Sequence, residues 1–248
     1  MNMHQLGSGI MVAVILRRIK LDLSQIALLW DLDGTIIDST ECHYKTWVAA
    51  LERYGYSLSR KVFKDHYGRN TKAVLPIYLG FEPDPSLAQK MREEKEMLFR
   101  QIVTEEAMLV PGVTSWLAEA KKADLRQAVA SSSNLRNITT MLSAHDMIGY
   151  FDLLVSGANL PAKPNPAVFL AAAGQLDQPA ERCLVIEDSA AGVEAAKKAG
   201  MTCIAVVTSH TKSQLYAADL VIDDFTLPFL DTLNDLGFDH QFSHDQKI

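Results

Sequence analysis

The chain has 248 residues, 48% of them hydrophobic, which is enough to fill a sizeable core in one domain with an insertion or in two modest domains. Its net charge of −6 argues against a general electrostatic surface for nucleic acid or for an anionic membrane. The three cysteines form no C-x-x-C pair and are odd in number, which favours reduced thiols. We therefore expect a globular, soluble, cytoplasmic protein.

Residues 1–25 form an N-terminal extension in our interpretation. Residues 10–16 are apolar, but Arg17, Arg18 and Lys20 follow this run instead of preceding it, and no small-residue cleavage site is present. A run of this length is also far too short to span a bilayer. We expect neither a signal peptide nor a membrane anchor, and the purpose of the extension stays open.

The segment 26–30 is a run of apolar residues that leads into two aspartates, Asp31 and Asp33, followed by Gly34 and Thr35. A continuous run of this kind predicts a strand buried on both faces of a parallel sheet. In open α/β sheets the ligand crevice lies beyond the carboxyl ends of the strands. Asp31 and Asp33 are therefore placed for chemistry rather than for packing.

The residues from about 40 to 110 carry helical signals without a strand signal. One helix ends at Gly55, a second covers 60–66, a third follows 68–71, and a fourth carries an apolar stripe of Leu87, Met91, Leu98 and Ile102. This stretch is too long for a simple crossover connection. It predicts a helical insertion between the first strand and the rest of the sheet.

From residue 111 the pattern alternates between helix and strand, which is typical of a doubly wound parallel sheet with right-handed crossovers. The apolar segments that we predict to be strands are 127–131, 152–157, 183–188, 202–208 and 219–224.

Polar residues follow several of these strands and would face one crevice: Ser131, Lys163, Glu187 and Asp188 would join Asp31 and Asp33 there. Carboxylates from two loops repel one another unless a cation lies between them, and a cluster of hard oxygen ligands suits Mg²⁺. A lysine and a serine hydroxyl that face the same point suit the oxygens of a phosphate.

This set of side chains suits phosphoryl transfer, which needs positioning and neutralisation of charge. Asp31 is the natural nucleophile, because a carboxylate can attack phosphorus to form an aspartyl phosphate. Asp33 is the natural proton carrier for the leaving oxygen and later for the attacking water. We expect neighbouring negative charge to raise the pKa of Asp33 for this task.

The same residues resemble the four motifs of the haloacid dehalogenase superfamily, in the family's order. The matching residues are Asp31 to Thr35, Ser131, Lys163 with Pro164, and Glu187 to Ser189 followed by Gly192. The resemblance implies an α/β fold with a Rossmann-like, doubly wound parallel sheet core and an inserted all-helical cap domain. It places the core at 26–38 and 111–248 and the cap at 39–110.

The resemblance also implies residue roles. Asp31 is then the nucleophile and Asp33 the acid/base. Mg²⁺ is held by the Asp31 side chain, the main-chain carbonyl of Asp33, and Asp188, with Glu187 nearby as a direct ligand or as a residue that orients the ligands. The implied phosphate ligands are Ser131, with Ser132 beside it, and Lys163.

Each of these residues also has a purely structural explanation. The aspartate pair could cap a turn, Ser131 could cap a helix, and Lys163 could be a solvated loop lysine. The presence of all four motifs together favours the functional interpretation.

Three residues of the predicted cap are candidates for substrate contacts. Lys95 lies on the apolar stripe, where a lysine must reach solvent or meet a partner, and β-phosphoglucomutase-like proteins carry a cap lysine at the matching place. His43 lies where those mutases have a histidine close to the acid/base, and the alternative is a locally bonded helix histidine. Arg69 could select the substrate or be a solvated arginine.

Our main hypothesis is a monomeric, Mg²⁺-dependent phosphatase that hydrolyses a small phosphorylated metabolite, expected to be a sugar phosphate, through an aspartyl phosphate. The alternative is a phosphosugar mutase of the β-phosphoglucomutase type. Thr35 stands where those mutases usually have valine and Thr71 where they place a phosphate-binding arginine, which favours hydrolysis, whereas His43 and Lys95 favour the mutase. A non-catalytic phosphometabolite-binding protein is the third hypothesis, and the retention of both aspartates argues against it.

Overall fold

The structure is a computed structural model that describes residues 25–236. The predicted N-terminal extension, apart from its last residue, lies outside the described residues. The strands are β1 (Ala27–Trp30), β2 (Ile37–Asp38), β3 (Met108–Leu109), β4 (Arg126–Ser131), β5 (Leu153–Ser156), β6 (Cys183–Glu187), β7 (Thr202–Val206) and β8 (Leu220–Ile222). The α-helices are α1 (Thr40–Glu52), α2 (Arg60–His66), α3 (Thr71–Leu79), α4 (Pro85–Glu106), α5 (Val113–Lys122), α6 (Leu135–Ala144), α7 (Ala167–Gln175), α8 (Ala190–Lys198) and α9 (Phe229–Asp235).

Six parallel strands form one sheet in the order β5-β4-β1-β6-β7-β8. The chain builds outward from β1 through β4 and β5, then returns to the other side of β1 with β6, β7 and β8. The direction of winding therefore reverses next to β1, and a ligand crevice is expected beyond the carboxyl ends of the strands at such a point. The predicted doubly wound parallel sheet is confirmed.

The apolar run of β1 is buried on both faces because helices cover both sides of the sheet. Leu28 and Trp30 pack into a cluster with residues of α5, α6 and α9. Ala27 and Leu29 point to the other face and pack with residues of α7 and α8. Successive side chains of a strand point to opposite faces, so a four-residue run without polar residues is required at this place.

The helices α1, α2, α3 and α4, which we call the cap helices, lie between β2 and β3 in the chain. They have their own hydrophobic cluster, in which the largest buried members are Trp47, Phe63, Tyr67, Tyr78 and Met91. Capping residues define where three of them begin, because Ser59, Asn70 and Asp84 each accept a backbone N–H with their side chains. The predicted helical insertion is thus confirmed as part of the fold.

Two details differ from the sequence-based expectations. The antiparallel ribbon of β2 and β3, in which Ile37 pairs with Leu109 and Asp38 with Met108, was not predicted, because a two-residue strand has too little periodicity to be recognised. The buried stripe of α4 is Ala88, Met91, Lys95, Phe99 and Val103, whereas Leu98 and Ile102 are half-buried. Lys95 lies on the stripe as predicted, but beyond Lys95 the buried positions continue at Phe99 and Val103 instead of at Leu98 and Ile102.

Within residues 25–236 no helix is long and apolar enough to cross a membrane.

Candidate active site

The ends of β1, β4 and β6 bring the predicted site residues to one edge of the sheet. Trp30 of β1 is aligned with Val129 of β4 and with Ile186 of β6, so the residues after these positions lie side by side. The backbone N–H of Asp31 donates to the carbonyl of Ile186 at 2.9 Å. Oxygen atoms of Asp31, Glu187 and Asp188, all of them buried, lie within 4.8 Å of one another.

Lys163 lies between two of these carboxylates. Its Nζ is 2.5 Å from Asp31 Oδ1 and 2.6 Å from Glu187 Oε1, and the side chain is fully buried. Burial by itself would lower the pKa of this ammonium, but Asp31 and Glu187 raise the pKa above its ordinary value. Lys163 is therefore a buried cation at the carboxyl edge of the sheet and not a solvated loop residue.

The carboxylate cluster has more acidic groups than the single ammonium of Lys163 can balance. Burial, opposed by Lys163 and reinforced by Glu187, raises the pKa of Asp31 to about 8. Burial and the charges of Glu187 and Asp31 raise the pKa of Asp188 well above its ordinary value. If a cation drew the protons off Asp31 and Asp188, the three carboxylates would carry two negative charges beyond the one that Lys163 balances, so the donor set fits a divalent cation held by oxygen ligands.

Glu187 and Asp188 differ in how fully their oxygens are engaged. Glu187 Oε2 accepts the backbone N–H groups of Asp188 at 2.7 Å and Ser189 at 2.6 Å, while Oε1 faces Lys163. The oxygens of Asp188 have longer hydroxyl contacts, at 3.5 Å from Thr35 Oγ1 and 3.3 Å from Thr208 Oγ1. Asp31 and Asp188 are therefore better disposed to bind a cation directly, and Glu187 is better disposed to orient the groups around it.

Gly34 is required next to Asp188. A Cβ atom at this position would lie 2.0 Å from Asp188 Oδ2, and the backbone has φ of +89°. The turn after β1 therefore needs glycine both for its left-handed conformation and for the close approach of the Asp188 carboxylate.

Asp33 has a different environment from Asp31. Its Oδ1 accepts from Ser39 Oγ at 2.6 Å and lies 2.8 Å from His43 Nε2, while its Oδ2 accepts from Ser133 Oγ at 2.7 Å. Burial raises the pKa of Asp33, but the charge and hydrogen bond of His43, with the hydroxyl groups, bring the pKa well below its ordinary value. The expectation that neighbouring negative charge raises this pKa is wrong, because the groups that face Asp33 are an imidazole and hydroxyls.

His43 and Lys95 form one polar group with Asp33. His43 Nδ1 lies 2.9 Å from Lys95 Nζ, and Lys95 Nζ lies 3.2 Å from Glu96 Oε1. Burial and the charge of Lys95 lower the pKa of His43. Lys95 is fully buried with its ammonium 4.7 Å from the centre of the Phe99 ring, so the lysine on the apolar stripe meets its partners inside the protein.

A cleft between the cap helices and the sheet edge encloses about 560 Å³ of space free of protein atoms, part of which is open to solvent. Six of the ten predicted site residues line this cleft, and four do not. The six are Asp31, Asp33, His43, Arg69, Lys95 and Ser132, and the four are Ser131, Lys163, Glu187 and Asp188. From the cap helices the lining also includes Trp47, Phe63, His66, Tyr67, Thr71, Tyr78 and Glu96.

The three predicted phosphate ligands are not equivalent in this arrangement. Ser132 lines the cleft, but its Oγ donates to the carbonyl of Gly68 at 2.9 Å. Ser131 is buried, and its Oγ accepts the backbone N–H of Ser133 at 3.0 Å and lies 3.5 Å from Asp33 Oδ2. Sequence reasoning missed Ser133, which contacts Asp33 and lines the cleft; the run of three serines after β4 was the signal for it.

Comparisons with known proteins identify the family of this chain. The chain matches the family described as haloacid dehalogenase-like hydrolase over residues 28–206. It is 31% identical to β-phosphoglucomutase of Bacillus subtilis, covering 82% of this chain and 93% of that protein. It is 30% identical to the phosphorylated carbohydrates phosphatase of Thermotoga maritima, covering 71% of this chain and 82% of that protein.

Among solved structures, a variant of CbbY from Rhodobacter sphaeroides in complex with xylulose 1,5-bisphosphate is similar with a TM-score of 0.74 and 28% identity. The alignment covers 81% of this chain and 95% of that chain. Phosphatases among the relatives support the predicted enzyme class, a phosphoric monoester hydrolase. With its parallel sheet, helical insertion and ordered motifs, the chain belongs to the haloacid dehalogenase-like hydrolase family.

Proposed function

We propose that this protein is a Mg²⁺-dependent phosphatase that hydrolyses a small phosphorylated metabolite through an aspartyl phosphate on Asp31. The observation that carries the proposal is the pairing of two carboxylates with different surroundings in one cleft. Asp31 lies against Lys163 and the carboxylates of Glu187 and Asp188, whereas Asp33 lies against His43. A nucleophile and a proton carrier need separate environments of this kind.

In the first step, a carboxylate oxygen of Asp31 attacks phosphorus and forms an O–P bond while the bond from phosphorus to the ester oxygen breaks. Asp33 is held ionised beside His43 in this structure, so it must first bind a proton, when the negatively charged phosphate ester enters and raises its pKa, before it can pass that proton to the leaving oxygen. In the second step, Asp33 takes a proton from water, the water oxygen bonds to phosphorus, and the Asp31 oxygen leaves. Inorganic phosphate is released and Asp31 is regenerated as a carboxylate.

Lys163 and Ser132 are the groups that we assign to the phosphate oxygens, together with Ser131 at the end of β4. A phosphate that enters the cleft would replace part of the ion pair between Lys163 and Asp31. Its anionic oxygens would compete with the Asp31 carboxylate for the Lys163 ammonium. The side chains of Asp31 and Asp188 with the Asp33 carbonyl would hold Mg²⁺, and Glu187 would orient them. Bound Mg²⁺ supplies neutralisation of charge at the transferring phosphoryl group.

The substrate class is proposed from the relatives and the cleft together. The Thermotoga maritima relative is named as a phosphatase of phosphorylated carbohydrates, and the cleft of this chain offers aromatic residues beside polar ones. Aromatic faces with a few polar groups are typical of sites that bind small polar metabolites. We therefore propose a sugar phosphate or a similar ester as the substrate.

The test is hydrolysis of p-nitrophenyl phosphate with and without Mg²⁺, followed by a panel of phosphorylated metabolites screened for phosphate release. We expect Mg²⁺-dependent release in the wild type and its loss in Asp31→Asn. Activity that is undiminished in Asp31→Asn, or no activity in the wild type, would contradict the proposal.

A mutase is the second candidate, because the Bacillus subtilis relative is named β-phosphoglucomutase and because His43 and Lys95 lie beside Asp33. Thr71 lines the cleft at the place where the mutases are expected to have a phosphate-binding arginine, which favours hydrolysis. The deciding assay uses β-glucose 1-phosphate with a trace of the bisphosphate. Formation of glucose 6-phosphate without free phosphate would replace the phosphatase proposal with the mutase.

A further inference from the structure

Helix α4 of the cap and helix α6 of the core meet at one buried amide, Asn137. Asn137 Nδ2 donates to Glu96 Oε2, and its Oδ1 accepts from Arg100 Nη1 at 2.9 Å. An amide is the side chain that can satisfy a carboxylate and a guanidinium at once, since it offers a donor at one end and an acceptor at the other. Asn137 is 1% exposed. If its amide were removed, Glu96 and Arg100 would each lose this hydrogen-bond partner at a buried place.

The contact at Asn137 continues without a break to the acid/base candidate. Glu96 Oε1 lies 3.2 Å from Lys95 Nζ, Lys95 Nζ lies 2.9 Å from His43 Nδ1, and His43 Nε2 lies 2.8 Å from Asp33 Oδ1. Lys95 and His43 are both at least nine-tenths buried, and His43 stacks on Phe99 with the ring centres 4.1 Å apart. Packing of this kind leaves few alternative rotamers, so a shift at one end is passed along the series.

Anions and cations follow one another along this series, and Glu96 is the anion that contacts Lys95. Lys95 and Arg100 are cations on the same helix as Glu96, and Asp33 is the anion at the far end. Glu96 contacts Lys95 directly and is itself held by Asn137, whose other end binds Arg100. Without that hold, Glu96 can turn toward either cation, and the position of the Lys95 ammonium beside His43 is no longer defined.

We propose that Asn137 is a positioning residue of this enzyme, which acts through Glu96, Lys95 and His43 to orient the carboxylate of Asp33. The inference rests on the proposed function, because it concerns the residue assigned there to proton transfer. It adds a group on core helix α6 whose contact with the cap decides whether Asp33 is aligned. Asn137 does not line the cleft, and its effect is therefore indirect.

The test compares two esters that differ in their need for a proton on the leaving oxygen. p-Nitrophenyl phosphate has a leaving group that departs without protonation, whereas benzyl phosphate releases an alkoxide that requires it. We expect Asn137→Ala to lower kcat for benzyl phosphate by about 10-fold or more and kcat for p-nitrophenyl phosphate by less than about 3-fold. A merely structural role would lower both rates by the same factor.

The matched control is Lys72→Ala, which also removes a hydrogen bond between cap and core, from Lys72 Nζ to Asn159 Oδ1 at 2.8 Å, on the exposed surface and outside the series. The ratio of the two rates should stay at the wild-type value in this variant. An equal loss on both esters in Asn137→Ala, or no loss, or the same change in ratio in Lys72→Ala, would overturn the proposal.

A second variant covers the case in which Asn137→Ala does not fold, as judged by its melting curve. Glu96→Gln keeps the shape of the side chain, but its amide has one acceptor where the carboxylate has two. With that oxygen toward Asn137 Nδ2, the variant loses both the charge and the acceptor beside Lys95. It should lower the benzyl phosphate rate more than the p-nitrophenyl phosphate rate, and an unchanged ratio would overturn the inference. A wild type that hydrolyses neither ester with Mg²⁺ would overturn the proposed function and this inference with it, whereas an active wild type with an unchanged ratio in the variants would overturn the inference alone.

Discussion

Asp31 and Asp33 are two residues apart in the chain and have opposite electrostatic surroundings. Asp31 has burial and other carboxylates around it, which raise its pKa to about 8, whereas His43 and hydroxyl groups bring the pKa of Asp33 below its ordinary value. The chain turns at Leu32, whose carbonyl accepts the backbone N–H groups of residues 35, 36 and 37. Asp31 before the turn contacts Lys163, and Asp33 after it contacts His43 of the cap helices. Their identity as a pair was predictable from the motif, but their neighbours belong to distant segments.

Gly34 provides a prediction at the scale of one residue. Gly34→Ala is expected to abolish Mg²⁺-dependent activity by at least about 100-fold, because the added Cβ would lie on Asp188 Oδ2 and displace a proposed cation ligand. The assay is p-nitrophenyl phosphate hydrolysis over a range of Mg²⁺ concentrations.

The matched control is Gly55→Ala. Gly55 also has a left-handed backbone, with φ of +81°, but nothing lies within 4 Å of an added Cβ. Both variants should lose about 1 to 2 kcal/mol of stability from the backbone alone. Activity that is retained in Gly34→Ala, or lost to the same degree in Gly55→Ala, would contradict the assignment of Gly34 to the Asp188 site.

At the scale of elements, the connection between the cap helices and the core is the short ribbon of β2 and β3. Asp38 pairs with Met108 in this ribbon, and Ser39 directly after it donates to Asp33. We expect a hinge at Asp38 and Ser39, where the chain leaves the core for the cap helices. A hinge at this place would move the cap helices without breaking the six-stranded sheet.

Spin labels can measure the predicted hinge motion. Met97 on α4 and Leu170 on α7 are both exposed, and the native cysteines Cys42, Cys183 and Cys203 are buried, which limits background labelling. We expect the distance distribution between labels at 97 and 170 to change when Mg²⁺ and a phosphate analogue are added, because the cap helices then settle over the site.

Labels at Leu170 and Leu227 are the control pair, because both residues are exposed and both lie outside the cap helices. The distance between these two labels should not change when Mg²⁺ and the phosphate analogue are added. The same distribution for the 97 and 170 pair with and without ligand would count against a hinge at Asp38 and Ser39.

At the scale of the whole molecule, the proposed active site is a local electrostatic conflict, because it buries several carboxyl groups side by side. The rest of the fold must offset this cost in stability. Asp31, Glu187 and Asp188 are brought together inside the protein with one ammonium beside them. Functional sites of this kind commonly reduce stability, since buried like charges are unfavourable until a ligand arrives. The two hydrophobic clusters on the faces of the sheet supply the stability that holds them there.

This conflict predicts opposite effects for two substitutions of the same kind. In the absence of divalent cations at neutral pH, Asp31→Asn should raise the melting temperature by about 2 to 4 °C, or about 1 kcal/mol. Burial and Glu187 disfavour the ionised Asp31 carboxylate in the folded protein, and the amide has no charge to bury. Asp33→Asn should lower the melting temperature by a similar amount, because the Asp33 carboxylate is stabilised by His43.

Thermal melting with and without Mg²⁺ checks both signs. Mg²⁺ should raise the melting temperature of the wild type by mass action and have a smaller effect on Asp31→Asn. If both substitutions shifted the melting temperature in the same direction, the contrast between the two environments would be refuted.

The sequence by itself determined the fold class and the members of the carboxylate cluster. The run of apolar residues in β1 requires burial on both faces, and parallel strands align their carboxyl ends at one edge, so local pattern was enough to bring Asp31, Ser131, Glu187 and Asp188 together. Helix boundaries also followed from local signals, since caps such as Ser59 act within one turn.

Only the tertiary structure decided the pairing of side chains. Asp33 meets Ser133 across 100 positions of sequence, and Asn137 meets Glu96 across 41. Such contacts depend on how the cap helices lie over the sheet. The hydrophobic periodicity of the sequence does not predict that placement. The direction of the pKa shift at Asp33 was predicted wrongly for the same reason: the pKa of a carboxyl group is set by the charges that surround it in space, and those come from other elements of the fold.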